Sequence, residues 1–288
     1  MKILFSTDLH GQQSRLDQLV ELTLTVRPEG LILGGDILPD AEPATVETVQ
    51  IGFALGPLRN CLGQLHQGLP DLRAAMVFGN HEMGCSIPAM EQLSADGLIE
   101  LLGPDRIVRW GRLALVGYAC TPPCPYWAKD FERLDLPGQD DPFPDGYIWN
   151  EQLGQLQAIN AARDLQDQPS MQEELAEIPA PPRPWILVAH SPPAGLGLDR
   201  LDSGLDIGSQ AVLDFIRRRQ PDISLHGHAH DAPRMTGHYW NRQGRTIAIN
   251  PGQPSRHLAA VSFNTADPIA TLTPHGVELE EAASQPKG

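Results

Sequence analysis

Lys2-Ile3-Leu4-Phe5-Ser6-Thr7-Asp8-Leu9-His10-Gly11 is an apolar run of strand length that stops at a carboxylate and an imidazole two residues apart. The next stretch, Gln12 to Val26, carries apolar residues at Leu16, Leu19, Val20 and Leu24, which is the period of a helix. A second apolar run, Leu31 to Leu33, then stops at Gly34-Gly35-Asp36. Strand, helix and strand in succession predict a βαβ unit, and with it a parallel sheet.

The same rhythm continues along the chain. Strand-length apolar runs recur at Ala74 to Phe78, Leu113 to Tyr118, Trp185 to Ala189, Ile223 to Leu225, Thr246 to Ile249 and Ala259 to Phe263, with helical patterns at Thr45 to Leu65 and Ser209 to Arg218. The last strands, from Thr246 onward, have no helical pattern between them and are expected to pair as an antiparallel meander. Residues 120–184, rich in proline and carrying Trp127, Tyr147 and Trp149, interrupt the alternation. They read as an insertion folded over one edge of the sheet, with helical patterns near Glu151 to Leu165 and Met171 to Ile178. Residues 1–273 are expected to form a single domain, and the Glu-, Ala- and Pro-rich residues 274–288 a mobile tail.

With 21 Lys and Arg against 36 Asp and Glu, the net charge of -15 disfavours nucleic acid, whose nonspecific affinity comes from Lys and Arg neutralising phosphates. The first candidate ligand at position 8 leaves no room for a signal peptide, and no apolar run approaches the ~20 residues that span a bilayer. The expectation is a cytoplasmic protein without membrane association. Four cysteines (Cys61, Cys85, Cys120, Cys124) make no disulfide framework, and no second pair completes a zinc site with Cys120 and Cys124. These thiols are expected to be structural or incidental.

The chemistry lies in the residues at the ends of the apolar runs. They are Asp8 and His10; Asp36; Asn80 in Gly79-Asn80-His81-Glu82; His190 in Val188-Ala189-His190-Ser191; and His228 and His230 in His226-Gly227-His228-Ala229-His230. Ligands gather at the carboxyl ends of strands in open α/β sheets, so these distant positions can converge. An Asp-x-His pair in extended backbone turns its middle residue away and offers both ends to one cation. Asp36 can bridge two cations, and His228 and His230 can address one each. Two divalent cations against two carboxylates and one hydroxide leave a residual charge of about +1, which suits a phosphate oxyanion. Mixed His, Asp and Asn ligation favours Mn, Fe, Zn or Co over Ca. His81 cannot easily face the same cation as Asn80 and is the candidate catalytic group, stabilising oxygens or protonating a leaving group. Asp40 can orient His81 through its ring nitrogen, or be a solvated loop carboxylate, and His226 reads as packing or support behind the ligands.

These five blocks, in this order, resemble the calcineurin-like metallophosphoesterase superfamily: Asp-x-His, Gly-Asp, Gly-Asn-His-Asp/Glu, a lone His, then Gly-His-x-His. The resemblance covers about residues 1–252. It implies an α/β four-layer αββα sandwich with a dinuclear centre, in which Asp8, His10 and His230 hold one metal, Asn80, His190 and His228 the other, and Asp36 bridges. His190-Ser191-Pro192-Pro193, Gly195, Leu198-Asp199, the helix at Ser209 to Arg219 and Asn250-Pro251-Gly252 are further similar to the Icc-related predicted phosphohydrolases. Many of those carry Cys where this chain has His81.

The function so implied is metal-dependent phosphoester hydrolysis, with a metal-bridged hydroxide attacking phosphorus in line. The expected substrate is a small phosphodiester or nucleotide-type pyrophosphate. Two other readings are a non-catalytic scaffold, against which the full ligand set argues, and a DNA nuclease subunit, against which the charge argues. Trp127, Lys129 and Arg133 are candidate substrate contacts if the insertion overhangs the metals. Gly34-Gly35 lacks the spacing of a phosphate-cradling loop, and Arg217-Arg218-Arg219 reads as a solvated helix end. His66, His238, His257 and His275 match no block.

Overall fold

Ile3 and Phe5 point to one side of the first strand and Leu4 to the other, and all three are fully buried. A strand apolar on both faces needs cover on both. In the computed structural model, which describes residues 1–139, 144–179 and 181–279, that cover is a second sheet on one side and helices on the other.

The chain lays down β1 (Lys2–Ser6), α1 (Gln13–Val26), β2 (Gly30–Leu33) and α2 (Val46–Phe53), then a π-helical turn at Ala54–Leu58 that contains Pro57, and α3 (Arg59–Gly68). It continues through β3 (Arg73–Met76), α4 (Ile87–Ala95) and β4 (Glu100–Leu101). These four strands run parallel in the order β1-β2-β3-β4. The second sheet starts with β5 (Val108–Trp110) and β6 (Leu113–Tyr118). A separate hairpin follows, β7 (Gly146–Asn150) with β8 (Gln155–Ile159), then α5 (Ala161–Asp164) and α6 (Met171–Glu177). The second sheet resumes with β9 (Trp185–Ala189), α7 (Gln210–Arg219), β10 (Ile223–Leu225), α8 (Ala232–Thr236), β11 (Trp240–Gln243) and β12 (Thr246–Ile249). Finally β13 (Ala260–Asn264), a short helix α9 (Pro268–Thr271) and β14 (Thr273–His275) close the first sheet at its other edge. Each sheet has six strands, β14-β13-β1-β2-β3-β4 and β11-β12-β10-β9-β6-β5.

Alternate residues explain the layering. Ile3, Phe5, Ile32 and Val261 of the first sheet meet Leu115, Ile186, Val188, Ile223 and Ile249 of the second in a common core. The intervening residues Leu4, Leu31, Leu33 and Met76 face outward onto Leu16, Leu62, Leu65 and Leu93 of the helices. On the far side Val116, Tyr118, Trp185 and Leu187 pack on Leu175, Val212, Phe215 and Ile216 of α6 and α7. The result is the expected αββα order of four layers.

Three expectations are corrected. The last strands form no single meander: β12 pairs parallel with β10 and antiparallel with β11, whereas β13 pairs antiparallel with β1 in the other sheet. The Asn250-Pro251-Gly252 turn carries the chain across, and both faces of β13 are thereby buried. The segment read as helical from Glu151 to Leu165 is instead the turn and second strand of the β7–β8 hairpin followed by the single turn α5; Leu153 stays exposed in the turn, whereas Leu156 packs on the cluster around Met83 and Ile159 is buried. The start of the expected tail is held, since β14 pairs with β13, His275 Nε2 lies 2.9 Å from Ser262 Oγ and Gly276 O lies 2.9 Å from His257 Nε2; residues 280–288 lie outside the described residues. No helix among the described residues is long and apolar enough to cross a membrane.

Candidate metal centre

β1, β2, β3, β9 and β10 all point their carboxyl ends the same way, and the loops that leave them carry every candidate ligand. Asp8 and His10 follow β1, Asp36 follows β2, Asn80 and His81 follow β3, His190 follows β9, and His228 and His230 follow β10. Among the described residues three groups have ligand atoms within 4.8 Å of one another: Asp8, His10 and His230; Asp36, His190 and His228; and His10, Asp40 and His81.

The backbone bends hard to achieve this. Asp8, His10, Asp36 and His228 all have positive φ, at 58°, 48°, 52° and 64°. Left-handed backbone costs a non-glycine residue about 1–3 kcal/mol, although Asp and His tolerate it better than most. The Asp-x-His pair is therefore not extended, as expected from spacing, but twice left-handed, and this turns both side chains inward while Leu9 goes to the core. Backbone bonds from Asp8 N to Gly35 O and from His10 N to Asp36 O lock the first two loops together. Gly79 and Gly227 permit the close approach, since a side chain at Gly79 would collide with the Asp36 carboxylate, and one at Gly227 with Asp8.

Glu82 clamps the loops from below. Fully buried, it accepts the amides of Asp36 and Gly79 at Oε2 (2.9 and 2.6 Å) and of Ile37 and Leu38 at Oε1 (2.6 and 2.9 Å). Burial and the nearby Asp36 push its pKa up to about 7, while the amides work in the opposite direction.

His190, Asp36 and His10 each have one polar atom engaged outside the centre, which leaves the other to face it. His190 Nδ1 donates to Gly34 O at 2.8 Å, leaving Nε2 3.2 Å from Asp36 Oδ2. Asp36 Oδ1 accepts the His81 amide at 2.8 Å, so Oδ2 is the atom available to share. His10 Nδ1 lies 3.0 Å from Asp40 Oδ1, and His10 Nε2 lies 3.2 Å from His230 Nε2. His230 Nε2 is in turn 3.2 Å from Asp8 Oδ1.

The electrostatics call for positive charge. Burial alone would raise the Asp8 carboxyl, but His230 and His190 beside it pull it down to about 2, and Asp36, also raised by burial, is held well below its ordinary range by His190 and His81. His190 is pushed up to about 10, against its own burial, by Asp36 and Asp8. His228, which burial holds at about 3, keeps a free lone pair. Three buried atoms have no hydrogen-bond partner here: Asp8 Oδ2, Asn80 Oδ1 and His190 Nε2. Buried polar atoms are seldom left unsatisfied, and two oxygens and an imidazole nitrogen form a donor set for a divalent transition metal. The residues fit a dinuclear centre.

Asp40 does more than occupy a solvated loop. Its Oδ1 lies 2.6 Å from His81 Nδ1 as well as 3.0 Å from His10, so one half-exposed carboxylate orients both rings and leaves His81 Nε2 as the nitrogen able to meet a substrate. Burial lowers the His81 pKa, but Asp36 and Asp40 raise it above its ordinary value overall. His226 stands behind the centre, with Nδ1 on Ala189 O and Ser191 O and Nε2 on Ser224 Oγ, which braces the ends of β9 and β10.

The chain matches the family model of calcineurin-like phosphoesterases over residues 1–232. The chain belongs to the calcineurin-like phosphoesterase family. Membership implies metal-dependent phosphoester hydrolysis. No curated protein matches the sequence. Among solved structures, TT1561 of Thermus thermophilus is similar with a TM-score of 0.54 and 14% identity over 96% of this chain and 99% of that one. The calcineurin-like phosphoesterase YfkN from Bacillus subtilis is similar with a TM-score of 0.50 and 14% identity over 91% of this chain and 84% of that one. At that identity the likeness speaks for the fold.

Two of the three expected substrate contacts are engaged within the insertion. Lys129 is fully buried, with Nζ on Glu132 Oε2 at 2.9 Å and on Cys124 O at 2.7 Å, so it has no free charge for a substrate. Arg133 is bound to Glu174 and to the carbonyls of Asp130 and Glu132. Trp127 packs with Tyr126 and Tyr147 in the small cluster around Met83 and Val46. The insertion does reach the centre, through two residues that carried no local signal in the sequence. Tyr126 lies flat on His81, with ring centroids 3.7 Å apart and planes at 9°, and Cys124 touches Asn80.

Proposed function

We propose that this chain is a dinuclear metal-dependent phosphoesterase acting on a small phosphodiester or nucleotide-type pyrophosphate. Asp8, His10 and His230 would hold one divalent transition-metal ion (Mn, Fe, Zn or Co), Asn80, His190 and His228 the other, and Asp36 would be shared between them. When bound, such ions supply an activated water for in-line attack on phosphorus and neutralise the charge that develops there. The observation that carries this reading is the set of buried atoms without a hydrogen bond, Asp8 Oδ2, Asn80 Oδ1 and His190 Nε2, the last of them 3.2 Å from Asp36 Oδ2.

The chain's own part is orientation and proton supply. Asp40 fixes His81 Nδ1, and Tyr126 fixes the plane of the ring, so that Nε2 faces the reacting phosphate and can hydrogen-bond its oxygens or protonate the leaving oxygen. Neutral Asn80, where a carboxylate would be equally able to ligate, keeps the loaded centre at a residual charge of about +1, which balances a monoanionic diester better than a dianionic monoester. The net charge of -15 fits a small substrate rather than a nucleic acid.

The test is turnover of model mono- and diesters, cyclic nucleotides and nucleotide diphosphates by protein loaded with each candidate metal. Hydrolysis of diesters or pyrophosphates above monoesters is expected; hydrolysis of none, by protein shown to be metal-loaded, would overturn the reading.

A further inference from the structure

Asn80 must face one way for its role as proposed. Its amide has an acceptor end and a donor end, and only the oxygen can meet a cation. Something has to decide which end turns inward, and the neighbours in the chain do not. The side-chain contact at the amide nitrogen is Cys124, whose Sγ lies 3.4 Å from Asn80 Nδ2, while Oδ1 is buried without a partner.

We propose that Cys124 is a positioning residue, which holds the Asn80 amide with its oxygen toward the metals. This rests on the dinuclear reading above. A thiol can donate or accept, so its polarity has to be set in turn. Cys124 Sγ donates to Glu132 Oε1 at 3.0 Å, and the opposite carboxylate oxygen of Glu132 takes Lys129 Nζ at 2.9 Å. With its one proton committed to a carboxylate, the sulfur has only lone pairs left for Asn80. A flipped Asn80 would set oxygen against those lone pairs and turn its N–H groups toward the cation, unfavourable at both ends. Lys129 and Glu132 are both fully buried, so their charges are balanced by each other and the polarity of the chain Lys129, Glu132, Cys124, Asn80 is fixed. Lys129 Nζ also holds Cys124 O at 2.7 Å, and the sulfur accepts Tyr126 N at 3.4 Å. The turn that orients Asn80 therefore also carries the ring that stacks on His81.

The thiol is then neither incidental nor a metal ligand. It acts one bond away from the centre, where loss of an orienting partner typically costs about 10–100-fold in metal affinity.

Calorimetric titration of the metal-free protein with Mn²⁺ alone tests it, on wild type, Cys124→Ala and Cys124→Ser, with the melting temperature of each metal-free protein measured alongside. Cys124→Ala should bind one of two ions about 10-fold or more weakly and leave the other unchanged, and Cys124→Ser, which can both donate to Glu132 and accept from Asn80, should recover most of the difference. Wild-type affinity for both ions in Cys124→Ala would overturn the inference. So would equal weakening of both ions, or affinity losses that simply follow the losses of melting temperature, since either marks a merely structural role. Failure of the wild type itself to bind Mn²⁺ would instead overturn the metal-centre reading beneath it.

Discussion

The Tyr126 ring lies 3.7 Å from the His81 ring and within 9° of parallel, although 45 residues separate them in the chain. A flat aromatic face against an imidazole held by Asp40 restricts the ring's rotation and favours its positive charge, as a cation–π contact does.

Tyr126→Leu should therefore lower kcat about 3–10-fold, the equivalent of the 0.5–1.5 kcal/mol that such ring pairs contribute, with KM and metal content nearly unchanged. Tyr126→Phe should behave as wild type. Steady-state kinetics on the best substrate of the screen checks both variants.

Asp40→Asn should do more, because Oδ1 holds His10 and His81 together. An amide can accept from one ring but presents no charge to the other. A fall of about 10–100-fold in metal affinity is expected together with a lower kcat at saturating metal. Titration with metal followed by kinetics separates the two effects.

Lys129→Ala should destabilise the fold by about 3–5 kcal/mol by leaving Glu132 as an uncompensated buried charge. A substrate contact would raise KM with little change in stability. Denaturant unfolding compared with KM distinguishes the roles.

Glu82→Gln should also unfold more easily, because one of the two atoms that receive four amides becomes a donor. Losing hydrogen bonds to a charged acceptor costs about 1.5–3 kcal/mol, and the expected loss is at least that in chemical denaturation. Its metal affinity should fall as well, since Glu82 ties the Asp36 loop to the Gly79 loop.

Asp8, Asp36, His190 and the His228/His230 pair were legible in the sequence because strand ends are legible. An apolar run of four or five residues followed by Gly, Asp or His marks a loop at a sheet edge, and parallel topology brings such loops to one side. The four-layer order came from the resemblance of the five blocks to a known family, whereas the strand pattern alone predicted only a parallel sheet. Contacts between segments were not legible in this way. Nothing local distinguishes a lysine buried against Glu132 from one reaching a substrate, or Tyr126 on His81 from a surface tyrosine. Nothing in the Asp-x-His spacing announces left-handed backbone at Asp8 and His10, which arises only when both side chains must turn toward the second sheet. The Glu151 to Leu165 stretch was misread for a related reason, since hairpin and helix both place apolar residues at short intervals and only the packing partner decides.

Seven residues on five loops would together hold two ions about Asp36. The most direct measurement is the metal stoichiometry of the purified chain after reconstitution with Mn²⁺ and removal of excess, for wild type, His190→Ala and His230→Ala. About two ions per chain are expected in the wild type and about one in each variant, because the two histidines serve different ions of a paired centre. A wild type that retains none, or variants that keep the wild-type number, would contradict it.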